Sequence, residues 1–103
     1  MIRHIVLVKF RADVGRDAVA GILRRVGGLR DVLPGMIGFA GGRQVSPESL
    51  GRGFTHAFTC DFADEAARDA YLVHPSHEAV GAEIVAAADG GLDGLTVVDF
   101  KLE

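Results

Sequence analysis

The chain has 103 residues, 49% of them hydrophobic and 24% charged, with 14 Gly, 3 Pro, a single Cys and no Trp. That is the size of one small domain spanning residues 1–103, with room for one core and no second lobe to close over a ligand. A formal net charge of −3, with both signs interspersed, supplies no overall field for phosphate backbones, so nucleic acid is not an expected partner.

The longest uninterrupted apolar run, Ile84 to Ala88, falls far short of the roughly 20 residues of a membrane-spanning helix. Arg3, His4 and Lys9 interrupt the apolar stretch that a signal peptide needs. The lone Cys60 has no partner for an internal disulfide, which fits a reducing compartment. The expectation is a cytoplasmic protein without membrane attachment.

Residues 2–10, IRHIVLVKF, predict a strand with Ile2, His4, Val6, Val8 and Phe10 on one face and Arg3, Ile5, Leu7 and Lys9 on the other. Both faces are apolar at the centre, so both are expected to be covered. From Asp17 to Arg30 the residues Val19, Ile22, Leu23, Val26 and Leu29 recur at helical spacing. They predict an amphipathic helix that weakens at Gly27-Gly28 and ends before Pro34-Gly35. A strand is predicted from Ile37 to Val45, with Gly41-Gly42 as the site of a β-bulge, and residues 46–53 form a loop.

Phe54 to Phe62 predicts a strand with Phe54, His56, Phe58, Cys60 and Phe62 on one face. Asp64 is a helix N-cap type and heads a helix to about Val73, where His74-Pro75 interrupts it. Ser76 is the expected cap of a further helical stretch to about Ala88. Asp89-Gly90-Gly91 stops that stretch, and Leu95 to Lys101 is the last strand. The order β-α-β-β-α-β is that of the α+β ferredoxin-like fold.

An internal echo accompanies it: His4, Phe10 and Arg16-Asp17-Ala18 reappear, equally spaced, as His56, Phe62 and Arg68-Asp69-Ala70. With the first and third strands taken as parallel neighbours, His4 and His56 are expected side by side on the helix-packed face. Lys9 and Asp61 are expected to pair on the other. That other face, with Ile5, Leu7, Ala57 and Thr59, is too apolar to be left in water. A second copy of the chain is its expected cover, making a homodimer.

The residues able to carry chemistry are four histidines, His4, His56, His74 and His77, and the single tyrosine, Tyr71. If the broken helix crosses the sheet where His4 and His56 emerge, all five converge on one apolar cleft. Imidazoles with an ordinary pKa near 6.5 suit general-base work at neutral pH. The plain alternative is that each is a polar group satisfied by its neighbours. His74-x-x-His77 has the wrong spacing for a helical zinc motif and is broken by Pro75, so no metal is expected. Cys60 lies four strand residues from His56, about 13 Å, too far for a nucleophile and its base. No glycine-rich phosphate loop occurs, and Arg24, Arg25 and Arg30 read as a solvated helix face.

The segments HIVLVKF (4–10), LPG (33–35), GRQVSPESLGRGFTHAF (42–58), YLVHPSHEAV (71–80) and VVDF (97–100) together resemble the stress-responsive dimeric α/β-barrel family, Dabb. The resemblance covers nearly the whole chain. It implies a ferredoxin-like protomer whose sheet packs on that of a twofold mate. Its best understood enzymes are plant polyketide cyclases, which close a poly-β-keto thioester by aldol condensation without metal or cofactor. By that resemblance His77 is the catalytic base and Tyr71 polarises the substrate, with His4, His56 and His74 lining the cavity. Val6, Val8, Ile22, Leu23, Val26 and Phe58 would form its apolar wall. The first helix departs from the cyclase pattern, offering Ile22, Leu23 and Val26 where bulkier aromatic residues stand. Two readings stay open: a cofactor-independent cyclase or lyase on a polyketide-like or keto-acyl compound, and a non-catalytic dimer that binds a small apolar ligand.

Overall fold

Alternation in the first ten residues produces the first strand, β1 (Ile2–Val8), whose even-numbered side chains are buried and odd-numbered ones half-buried. The computed structural model describes residues 1–102. The chain continues through α1 (Arg16–Gly28), β2 (Met36–Arg43), β3 (His56–Phe62), α2 (Glu65–Leu72), α3 (Pro75–Ala87) and β4 (Leu95–Lys101). Short 3₁₀ turns at Leu29–Asp31 and Gly91–Gly94 follow α1 and precede β4. Among the described residues no helix is long and apolar enough to cross a membrane.

The four strands form one sheet in the order β2-β3-β1-β4, and every neighbouring pair is antiparallel. This corrects the expectation that β1 and β3 run parallel. The helix α1 returns the chain to start β2 in the direction of β1, and β3 slots between them running the other way. The antiparallel register sets His4 opposite Cys60 and His56 opposite Val8, so the two histidines are not side by side. It also sets Arg3 opposite Asp61, and these form a two-pronged ion pair with Nε to Oδ1 at 2.8 Å and Nη2 to Oδ2 at 3.1 Å. Lys9, the expected partner of Asp61, instead holds its Nζ 5.0 Å from the centre of the Phe54 ring.

The helices cover one face. From α1 they bring Val19, Ile22 and Val26, and from α3 Val80 and Ile84, onto Val6, Val8, Phe58, Cys60 and Phe62. The register irregularity in β2 falls between Met36 and Gly38, not at the expected Gly41-Gly42, where pairing to Phe58 and Ala57 is regular. Gly41 is needed for a different reason: a Cβ there would lie 2.8 Å from that of Phe58. The expected cap at Asp64 is present, its Oδ1 accepting from the Ala67 N–H at 2.8 Å. At α3 the cap is His74 rather than Ser76, with Nδ1 accepting from the Ser76 N–H at 3.1 Å. Pro75, with fixed φ and no N–H to satisfy, takes the first helical position and moves the start ahead of the serine.

Candidate active site

The break between α2 and α3 does more than turn the chain. It folds the start of α3 back on the end of α2, so that the Tyr71 and His77 rings lie 4.2 Å apart, centre to centre. Tyr71 is wedged between His77 and Phe62, whose ring centre is 4.8 Å away, and it meets His4 nearly edge-on at 5.7 Å. The three polar rings border a cavity of about 270 Å³ between the sheet and α3. Val6 and Phe58 form its floor, Val26, Val80 and Ile84 its helical wall, and the exposed Leu72 and Val97 its rim.

Six of the expected site residues therefore meet: His4, Val6, Val26, Phe58, Tyr71 and His77. His56 does not join them, because the antiparallel ladder carries it to a separate cleft beside Phe10 and Arg43. His74 is occupied in capping α3. Val8 and Ile22 are sealed in the core, and Leu23 packs against it from its edge.

Each polar group is held in a definite protonation pattern. A carbonyl oxygen only accepts, so the 3.2 Å contact to Leu72 O requires His77 Nδ1 to carry the proton. Burial lowers the His77 pKa below its ordinary value, and nearby His4 lowers it further, against the opposing pull of the Leu72 carbonyl. The ring is neutral at pH 7, and its Nε2 presents a lone pair. Burial pushes the Tyr71 phenol the other way, above its ordinary value, reinforced by Cys60. It stays protonated and acts as a donor. Its nearest partner is the buried Cys60 sulfur at 3.9 Å, which makes only a weak hydrogen bond. The same burial pushes the Cys60 thiol up to about 12, so it is not a nucleophile at neutral pH.

His4 is buried, and its Nδ1 donates to Asp99 Oδ1 at 2.7 Å, while Asp99 Oδ2 accepts from Arg68 Nη1 at 2.9 Å. No side-chain nitrogen or oxygen among the described residues is both sealed and unpartnered. The His4 Nε2, which has no hydrogen-bond partner, therefore opens onto the cavity. Asp99 and Arg68 were not among the candidate residues. The signal for Asp99 is an acidic residue inside the apolar strand Val97-Val98-Asp99-Phe100, and it becomes informative only once β4 is set opposite β1.

Fold and cavity together define a small ferredoxin-like α+β protein with a histidine- and tyrosine-edged apolar cleft. The profile of the stress responsive A/B barrel domain family, Dabb, matches residues 2–102, and the chain belongs to that family. It is 29% identical over 100 residues to the stress-response A/B barrel domain-containing protein HS1 of Arabidopsis thaliana, covering 97% of this chain and 88% of that one. It is 21% identical over 80 residues to olivetolic acid cyclase of Cannabis sativa, covering 78% and 79%. A crystal structure of a dimeric ferredoxin-like protein of unknown function from Jannaschia sp. superposes with a TM-score of 0.90 at 33% identity, covering 98% of each chain.

Proposed function

We propose that the protein is a cofactor-independent cyclase or lyase acting on a small keto-acyl compound, with His77 as general base and Tyr71 as the donor to the reacting oxygen. Nε2 of His77 takes a proton from the carbon next to a carbonyl. The C–H electron pair moves into an enolate whose oxygen accepts from the Tyr71 hydroxyl. The supporting observation is the opposed tuning of two touching groups, a neutral imidazole with a free lone pair against a phenol that keeps its proton. A relative named olivetolic acid cyclase points the same way. The working unit is a homodimer, a reading supported by the relative described as dimeric, and the apolar bare sheet face is its proposed contact.

The test is exchange of α-hydrogens in D2O, followed by NMR over a panel of short β-keto thioesters and ketones. Replacing the base, His77→Gln, should slow exchange by about 10² to 10⁴ and leave the melting temperature nearly unchanged. Equal rates in the two proteins would remove His77 from the chemistry. The apolar lining favours a second reading, retention of a small apolar ligand without turnover. Saturable binding of the panel with no exchange in either protein would select it.

A further inference from the structure

His56, excluded from the cavity, stands in a cleft of its own. In an acidic chain of net charge −3, this cleft of about 470 Å³ is lined by Arg11, Arg16, Arg43 and His56 and by no carboxylate. Arg43 and His56 face each other across the β2–β3 ladder, which places both side chains on one side of the sheet. Among the described residues Arg16 and Arg43 have no acidic partner within ion-pair distance. Arg11 is paired with the exposed Asp13 at 2.9 Å and anchored through Nη1 to the Ala86 carbonyl.

The histidine is oriented as well. The Thr55 hydroxyl accepts from the Phe10 N–H and donates to the Val8 carbonyl, both at 3.1 Å. With its proton so committed, it can only accept from His56 Nδ1 at 2.9 Å. The Phe10 ring braces the imidazole edge-on at 5.1 Å. Nε2 is left without a partner and, as no unpartnered side-chain nitrogen is sealed, it is reachable from the cleft. The adjoining N-terminus of α1 is capped by Gly15 with no side-chain hydrogen bond, and its first-turn N–H groups add to the positive side; Asp17 in that turn is the one acidic offset.

We infer that this cleft is a second binding site, for a phosphate monoester, with Arg16 and Arg43 gripping the dianion and His56 donating from Nε2 once protonated. Two unpaired guanidiniums and one ionisable ring match the −1.5 to −2 charge that a phosphoryl group carries near pH 7, roughly, better than a single carboxylate charge. The cleft has room beyond the phosphoryl group for the rest of a small ester. Burial and the Arg43 charge hold the His56 pKa below its ordinary value, and a bound dianion would reverse that shift. The site lies on the helix-covered side, so it stays open when the bare face is closed, and its test is independent of the His77 chemistry.

The experiment is an NMR titration of the four histidine ring signals in the full chain, with inorganic phosphate, glycerol 3-phosphate, acetate and sodium chloride at matched ionic strength. The expected result is saturable movement at His56 with the two phosphates, not shared by the signals of His4, His74 and His77, and a His56 titration midpoint that rises. Arg43→Gln and Arg16→Gln should each weaken phosphate about tenfold or more, and Arg24→Gln, elsewhere on α1, should not. The exposure of Arg16 and Arg43 makes both variants compatible with folding. Equal responses to chloride and phosphate would overturn the site, as would phosphate binding insensitive to Arg43. Acetate bound as tightly as phosphate would overturn the phosphate assignment.

Discussion

The two faces of the sheet are built from the same strands and meet opposite fates. On the helix side, β1 gives Ile2, His4, Val6 and Val8, all buried within the protomer. On the other side Ile5 and Leu7 are only half-buried, and the adjoining Val98 and Phe100 of β4 are 55% and 45% exposed. The helix side can carry polar chemistry because each histidine there has its Nδ1 held by a partner while its packing fixes the ring. The bare side carries one two-pronged ion pair, Arg3 to Asp61, on a surface that is apolar apart from Thr59 and Thr96 of its strands. An apolar sheet face of this kind is stable in water only when another surface meets it.

Neighbouring residues of β4 point to the two faces, which makes a direct way to break the comparison. Val98 sits opposite Ile5 on the bare face, and Val97 opposite Val6 at the rim of the cavity. In the proposed dimer, Val98→Asp places a charge in a closed apolar interface, at a cost of at least about 2 kcal/mol. That loosens association about thirtyfold or more. Light scattering across a dilution series should show V98D as a monomer at concentrations where the parent is a dimer. Val97→Asp should leave assembly intact, since its charge faces the cavity mouth. A monomeric parent, or equal behaviour of the two variants, would show that the bare face has another role.

A smaller effect is expected within the helix side. Asp99→Asn keeps the shape but removes the charge that receives both His4 and Arg68. Hydrogen bonds to a charged group are worth about 1.5 to 3 kcal/mol. Thermal melting should fall by several degrees, and the NMR signal of the His4 Nδ1 proton should move or vanish. An unchanged His4 signal would mean that the ring is fixed by packing against Tyr71 and Phe62 instead.

The cap of α3 offers a finer measure. His74→Ala removes the side chain that accepts from the Ser76 N–H and should cost about 1 kcal/mol. Ser76→Ala should cost little, because that hydroxyl does not cap the helix. Urea denaturation of the two variants reads the difference directly.

These cases show what kind of information the residue order carries. Alternation in β1 and β3 and helical spacing in α1 are local, so the elements and the buried face were readable, whereas the pairing of Tyr71 with His77 was implied by the family resemblance. Strand direction and register are not local. Treating β1 and β3 as parallel misplaced His56 and paired Lys9 with Asp61; Asp99, whose only visible mark was its charge in an apolar strand, became informative once β4 was set opposite β1. The family resemblance carried His56 and His74 into the cavity by analogy, and the ladder and the cap place them elsewhere. The β2 irregularity was placed at the glycines at 41 and 42, which suggested a bulge there, whereas Gly41 is there for the close approach of Phe58.

The smallest effect expected is the dependence of stability on pH, and it too belongs to one face. His56 and His77 both lie on the helix side, and burial holds both pKa values below the ordinary 6.5. When the chain unfolds each returns to its ordinary value, so below about pH 6.5 the unfolded state binds more protons than the folded one. Stability is therefore full above that pH and declines as pH falls toward the depressed folded values. Both rings are partly accessible, so solvent screens the shifts and keeps the slope shallow. Urea midpoints measured from pH 8 to pH 5 should fall on the acid side, and His77→Gln should flatten the curve by removing one of the two contributions. The acid limb of any His77-dependent activity should lie below pH 6.5 for the same reason. Phosphate should flatten the His56 contribution alone, because a bound dianion favours the protonated folded ring. A flat profile in the parent would show that neither ring changes environment on folding, and with it the tuning that supports His77 as a base would be lost.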